Sequence, residues 1–352
     1  MAEPGLITLI SSGETAHSGG QVFESLAKAL PQPLRVEVLE TPAGFETNPG
    51  RVAGRVADFL RSRLQNYKPA VRQIAARKKG SPLSPDDAAL IDPLYDSSLI
   101  FFGPGSPTYT VRQLEGSLAW QVIQASQRLG AALVLASAAA IAVGRYVLPV
   151  YEIYKVGEDP AWKLGLDLLG AYGLALAVVP HWNNHEGGEE VDTSRCFIGQ
   201  ERFQTLLAQL PDGATVVGLD EHTALTIDLK RERMRVRGSG QAHLLCGGDA
   251  QTLASGRDYP LGALGPYRAL ASPGEGLPET VWNTALRRRK TPLPNTDGAE
   301  IPAAVRQMVA DRQAARSARD FRLADRLRDQ ILQAGWQVKD TPEGPQITRA
   351  DE

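Results

Sequence analysis

Cysteine is scarce in this 352-residue chain, with only Cys196 and Cys246. They lie far apart and in no metal-ligand spacing, which argues against a disulfide scaffold and fits a reducing compartment. No long hydrophobic run is present either. The longest, Ala131 to Gly144, is too short to span a bilayer. The opening residues MAEPGLITLIS lack the basic start and long apolar core of a signal peptide, so a cytoplasmic protein with no membrane partner is expected. Charge of one sign is lacking too: the net charge is −2, which gives no global attraction to nucleic acid or an anionic membrane. Internal repeats and low-complexity segments are also missing.

What remains is the composition of a globular protein, 43% apolar and 22% charged. Short strand-like runs, several of them continuously apolar, alternate with helical periodicity. The runs are Leu6 to Ile10, Leu34 to Leu39, Ala70 to Ala75, Ser98 to Phe102, Ala131 to Leu135 and Leu174 to Val179. Helical spacing appears over Gln21 to Leu30, Val52 to Leu64 and Phe203 to Leu210. Buried strands alternating with helices predict an α/β fold, a three-layer sandwich around a mostly parallel central sheet. Met234 to Val236 and Ala242 to Cys246 are expected to close an antiparallel edge hairpin with Gly238 and Gly240 in its turn.

The stretch AALVLASAAAIAVG places one polar residue, Ser137, between a strand and an alanine-rich helix. Such a corner lifts a hydroxyl above the sheet edge and aims the following amides at the same space; a helix cap is the plainer role for such a serine. Gly103-Pro104-Gly105-Ser106-Pro107 follows another buried strand and can expose amides beside it. His181 directly follows Val179-Pro180, at what is expected to be the same sheet edge. His181 and His185 with Glu186, Glu189 and Glu190 could instead suggest a metal site. Asn183-Asn184 and Gly187-Gly188 mark a loop there, however, which breaks the helical spacing such a site needs. No metal and no cofactor is expected.

Three of these segments, FFGPGSPTYTVRQLEG, LASAAAIAVG and His181-Trp182 with Asp220-Glu221-His222-Thr223-Ala224, together resemble the cyanophycinase and dipeptidase E family of serine peptidases. The resemblance covers roughly residues 1–250 and implies a fold like that of class I glutamine amidotransferases. It also implies Ser137 as nucleophile, His181 as general base, Glu221 as the group orienting the histidine, and the Gly105 and Ala138 amides as oxyanion donors. The family's two elbow glycines are replaced by Leu135 and Ala139. Its closely spaced arginines after the histidine are missing, which leaves Arg195, Arg202 and Asn183 as candidates for substrate contact. Whether His181 pairs with Glu221, Asp220 or neither stays open at this stage.

Residues 271–300 are rich in proline and glycine and are expected to be a linker, with Arg287-Arg288-Arg289-Lys290 as a solvated charge run. Residues 301–352 are expected to form a two-helix module with a hairpin. Asp320 would cap the second helix, Gly335 would end it, and Pro342-Glu343-Gly344 would turn the hairpin. This tail is similar to the extreme C-terminus of bacterial cysteinyl-tRNA synthetase, through Arg312, Ala315, Arg316, Asp320, Phe321, Ala324, Asp325, Arg328, Asp329, Asp340, Thr341, Pro342 and Gly344. It carries nine Lys/Arg against eight Asp/Glu, little net charge for holding a phosphate backbone. The expected function is hydrolysis of a peptide or amide bond in a small substrate through a seryl acyl-enzyme. The alternatives are an inactive peptide- or small-molecule-binding protein on the same fold, and a tRNA-associated protein. A second copy of the chain is a candidate partner.

Overall fold

The computed structural model describes residues 3–290, 303–318, 320–334, 336–341 and 344–349. The chain forms two compact units, Met1–Pro292 and Leu293–Glu352.

In the large unit, strands β1 (Ile7–Ile10), β2 (Arg35–Leu39), β3 (Ala70–Ile74), β4 (Leu99–Phe102) and β5 (Ala132–Ala136) run parallel in the order β1-β5-β4-β2-β3. The largely apolar sequences of β1, β4 and β5 reflect burial on both faces, whereas β2 carries Arg35 and Glu37 and the edge strand β3 exposes Ala70, Arg72 and Gln73. Along β5, Leu133 and Leu135 enter one hydrophobic core while Ala132, Val134 and Ala136 enter another. Along β4, Ile100 and Phe102 join the first and Leu99 and Phe101 the second. Helices His17–Ala29 and Pro49–Arg63 cover the second core with Val22, Phe23, Leu26, Val56 and Leu60. Helices Pro107–Leu114 and Leu118–Arg128 cover the first with Val111, Leu114, Trp120 and Ile123. Each such side chain contributes about 1.5–3 kcal/mol by leaving water. The result is the expected α/β sandwich.

A second sheet stands beside it. Strands β6 (Tyr146–Val147), β7 (Lys163–Leu164), β8 (Ala175–Val179) and β9 (Ala214–Leu219) begin this sheet. The chain then crosses to the first sheet, where β10 (Thr223–Asp228) pairs antiparallel with β1 and β11 (Arg233–Gly238) with β10. It crosses back to add β12 (Ala242–Cys246) antiparallel to β9, and then β13 (Asp249–Leu253). Finally β14 (Asp258–Pro260) returns to the edge of β11.

The expected hairpin between Met234 to Val236 and Ala242 to Cys246 is therefore incorrect, because the two strands belong to different sheets. Gly238 and Gly240 serve the crossing instead. A Cβ on Gly238, at φ +108°, would lie 2.0 Å from the His222 carbonyl oxygen, and one on Gly240 would lie 2.5 Å from Asp220 Cβ.

Part of the expected linker is also ordered structure. Glu279–Lys290 is a helix with Val281 and Ala285 buried one turn apart. Arg288 pairs with Asp92 and, at 3.1 Å, with Asp96; Arg289 donates to the Ser97 carbonyl at 2.6 Å. Arg288 and Arg289 thus bind the Asp92 to Ser97 segment rather than facing only solvent.

A carboxyl group is buried in β2. Glu37 in β2 is 1% exposed and neither carboxylate oxygen has a hydrogen-bond partner, although Arg72 Nε lies 3.8 Å away. Desolvation raises its pKa to about 8, against a partial offset from Arg72. A carboxyl whose folded pKa lies above its unfolded value leaves stability intact below pH ~4.5 and withdraws it as pH rises through ~8. Glu37→Gln is accordingly expected to flatten that slope, gaining on the order of 2–4 kcal/mol over wild type between pH 5 and pH 8.5 in denaturant titrations. Parallel slopes would contradict this.

In the small unit, helices Ala303–Ser317 and Phe321–Gln333 precede β15 (Trp336–Thr341) and β16 (Gly344–Arg349), which pair antiparallel. Val305, Val309, Ile331, Trp336 and Val338 form its core. Asp320 caps the second helix, its Oδ1 accepting the Leu323 amide at 3.0 Å. The expected roles of Gly335, Pro342 and Glu343 fall outside the described residues. No described helix is long and apolar enough to cross a membrane.

Candidate active site

β5 ends at Ala136, and Ser137 turns the chain into the helix Ala138–Ala142 with φ +50° and ψ −114°. A non-glycine residue at positive φ costs on the order of 1–3 kcal/mol and persists only where its surroundings impose it. Here the Ser137 amide donates to the Ile10 carbonyl at 2.9 Å, and the Ser137 carbonyl accepts the Ile141 amide at 3.1 Å. The residue thus ends one ladder and starts a helix. The two departures at the elbow are absorbed: Leu135 and Ala139 are fully buried in the first core.

Ser137 Oγ lies 2.9 Å from His181 Nε2, and His181 Nδ1 lies 3.0 Å from Glu221 Oε1. An ionised carboxylate can only accept, so Nδ1 carries the proton and the Nε2 lone pair faces the serine hydroxyl. Glu221 is held in that charge state. Its hydrogen bond with His181, aided by those from Ser12 and Asn184, outweighs burial and lowers its pKa to about 2.

The three side chains come from two sheets, not from one sheet edge. Ser137 follows β5 of the first sheet, and His181 follows β8 of the second. Glu221 sits on the crossing from β9 to β10. Because the chain changes sheets at Asp220 to His222, the carboxylate is delivered into the seam between them. Asp220, the other candidate partner of His181, is engaged elsewhere: its Oδ1 lies 3.0 Å from His243 Nε2 and its Oδ2 accepts the Gln241 amide at 2.9 Å.

The Gly103 carbonyl accepts the Ala139 amide at 3.3 Å, which ties the Gly103 to Pro107 turn to the elbow. Gly105, at φ +149°, closes on Pro42 so tightly that a Cβ would lie 2.0 Å from the Pro42 oxygen. Among the described residues, neither the Gly105 nor the Ala138 amide donates to a protein acceptor.

The three candidate substrate contacts lie in different settings. Asn183 Oδ1 accepts the Glu221 amide at 2.7 Å and so supports the acid. Arg195 lies over the Trp182 ring with its guanidinium carbon 3.9 Å from the centroid, and donates to the Trp182 carbonyl at 2.8 Å. Arg202 is exposed on the helix Gln200–Leu207, and no hydrogen bond or ion pair among the described residues joins it to Ser137, His181 or Glu221. His185, Glu186, Glu189 and Glu190 belong to an irregular segment, whereas both ring nitrogens of His181 are occupied by protein partners.

Sequence reasoning missed Ser11 and Ser12. The Ser11 hydroxyl accepts the His181 amide at 2.7 Å and donates to the Leu219 carbonyl at 3.0 Å. The Ser12 hydroxyl contacts Glu221 Oε2 and accepts the His222 amide at 3.0 Å. A tandem of polar residues at the carboxyl end of a buried strand is the signal that could have marked them, since ligands on parallel sheets gather at that end. Asn184, which donates to Glu221 Oε1 at 3.2 Å, carried no comparable signal.

No family model matches the chain. The fold is similar to that of the crystal structure of a peptidase from an acI-B1 Actinobacterium, with a TM-score of 0.57 and 22% identity over 73% of this chain and 97% of that one. A segment is similar to cysteine–tRNA ligases. It is 46% identical over 55 residues to the enzyme of Chlamydia pneumoniae and 38% identical over 55 residues to that of Methanosarcina mazei. Each match covers 16% of this chain and only 12% of the ligase.

Proposed function

We propose that the large unit is a serine hydrolase that cleaves a peptide or amide bond. The observation that carries this reading is the continuous Ser137–His181–Glu221 relay, at 2.9 and 3.0 Å, built on a strained turn at the end of a central strand. A free serine hydroxyl is a poor nucleophile, and an adjacent imidazole in the right tautomer removes that barrier. Ser137 Oγ attacks the carbonyl carbon as its proton passes to His181 Nε2. Glu221 stabilises the imidazolium that forms. The Gly105 and Ala138 amides are assigned to the oxyanion. His181 then returns the proton to the departing amine, leaving an acyl-enzyme on Ser137. Water, deprotonated by the same imidazole, releases the acid.

The fold's likeness to a solved peptidase supports this reading. The ligase likeness supports a second reading confined to the small unit, in which it serves as a tRNA-docking appendage. Its near balance of charge makes phosphate attraction a weak part of any such contact.

A library of short peptides, amides and activated esters tests the first reading. Turnover is expected, with activated esters giving a burst of alcohol equal to the enzyme ahead of steady acid release. A folded protein that turns over nothing in the library would contradict it.

A further inference from the structure

We propose that Ser12 is a positioning residue for hydrolysis, a fourth member of the relay that fixes the carboxylate plane of Glu221 and the main chain at His222 through one hydroxyl. The inference rests on the serine-hydrolase reading above.

Glu221 presents two oxygens. Oε1 is shared by His181 Nδ1 at 3.0 Å and Asn184 Nδ2 at 3.2 Å. Oε2 is contacted by Ser12. With one oxygen held, the carboxylate could still rotate; with both held, its plane is fixed and Oε1 stays aimed at the imidazole. The direction of the Ser12 bond follows from its other partner. The hydroxyl already accepts the His222 amide at 3.0 Å, and an ionised carboxylate can only accept, so the Ser12 proton points at Oε2. The same hydroxyl therefore grips the side chain of residue 221 and the main chain of residue 222.

The anchor is rigid. Ser12 follows β1, which is hydrogen-bonded to β5 on one side and β10 on the other. Its neighbour Ser11 holds the His181 amide and the Leu219 carbonyl, so one dipeptide ties the end of β1 to the bases of both the histidine and the acid. Gly13 completes the clamp, for a Cβ there would lie 2.3 Å from His222 Nδ1. These contacts bridge the seam between the sheets, where no continuous strand ladder can hold the geometry. The depressed pKa of Glu221 agrees, Ser12 being one of its donors.

The test compares wild type, Ser12→Ala and Ser12→Thr on the best amide or ester substrate, with pH profiles of kcat and kcat/KM. Ser12→Ala is expected to lower kcat about ten- to hundredfold, as for a small misplacement of a catalytic group. KM should stay within about twofold, because Ser12 acts through Glu221 and not through substrate. A carboxylate that loses a donor binds the imidazolium proton more tightly, so the acid limb should move to higher pH. Ser12→Thr keeps the hydroxyl and should restore both rate and limb. In substrate-free protein, the proton resonance of His181 Nδ1–H should shift in Ser12→Ala and return in Ser12→Thr. Should Ser12→Ala not fold, Ser12→Gly deletes the same hydroxyl and is measured in its place. Unchanged kcat and profile in Ser12→Ala would overturn the proposal, as would equal losses in Ala and Thr variants with an unmoved limb. Both contrary results require an active wild type, whereas failure of the hydrolase reading itself appears as wild type without turnover.

Discussion

Ser137→Ala is expected to reduce turnover by about 10⁴–10⁶-fold while leaving the fold intact. The loss is large because, in the proposed mechanism, the Ser137 oxygen forms the acyl-enzyme, and His181 and Glu221 then have nothing to activate without it. Residual rate would come from binding and from the amides proposed for the oxyanion, those of Gly105 and Ala138. Structure should survive because alanine meets the same strain at φ +50° that serine does, and the hydrogen bonds that impose the turn are main-chain ones. Ser137→Gly provides a companion. It should be as inactive, yet more stable by on the order of 1 kcal/mol, since glycine adopts positive φ without penalty. Steady-state assays and thermal melts of the two variants check both parts.

Glu221→Gln is expected to lower kcat by about 10³–10⁴-fold, the scale seen when a triad carboxylate becomes an amide. His181, Asn184 and Ser12 all donate to Glu221. A carboxamide offers one acceptor oxygen and an NH₂ group, so at least one of these donors then faces another donor. If the NH₂ turns to Nδ1, the histidine takes the opposite tautomer and Nε2 can no longer receive the Ser137 proton. The substitution also changes acid stability. Glu221 has a folded pKa near 2 against an ordinary 4.5, so its contribution is present above pH ~4.5 and is lost as pH falls through ~2. With the side chain 28% exposed, that contribution is about 2–3 kcal/mol. Glu221→Gln should therefore be less stable than wild type at neutral pH, and the gap should close on acidification.

The layered core was legible because it is written locally. All-apolar runs such as Ala132 to Ala136 have few ways to be buried except as central strands, and the polar corner at Ser137 marks where the sheet ends. His181 was marked by its place directly after a buried strand, whereas its role and the choice of Glu221 came from resemblance, and their pairing could not be read from spacing. What escaped was set by distant contacts. Ser12 and Glu221 lie 209 positions apart, and no periodicity reports a hydroxyl meeting a carboxylate over that separation. The change of sheet at Asp220 to His222 escaped for a related reason: the apolar residues of Val216 to Leu219 and of Ala224 to Leu229 read the same whichever sheet they join. The helix Glu279–Lys290 was hidden by composition. Its buried Val281 and Ala285 sit between proline- and glycine-rich flanks, and its arginines looked solvated until Asp92 and Asp96 were brought to them by the fold. Arg195 covers Trp182, which no local pattern foretells.

The most direct test of the account is intact-mass analysis after exposure to a fluorophosphonate, followed by peptide mapping. The convergence of Ser137, His181 and Glu221 predicts one covalent adduct per chain on the peptide containing Ser137, absent from Ser137→Ala and formed far more slowly in Glu221→Gln. Folded wild type without an adduct, or an equal adduct on Ser137→Ala, would contradict it.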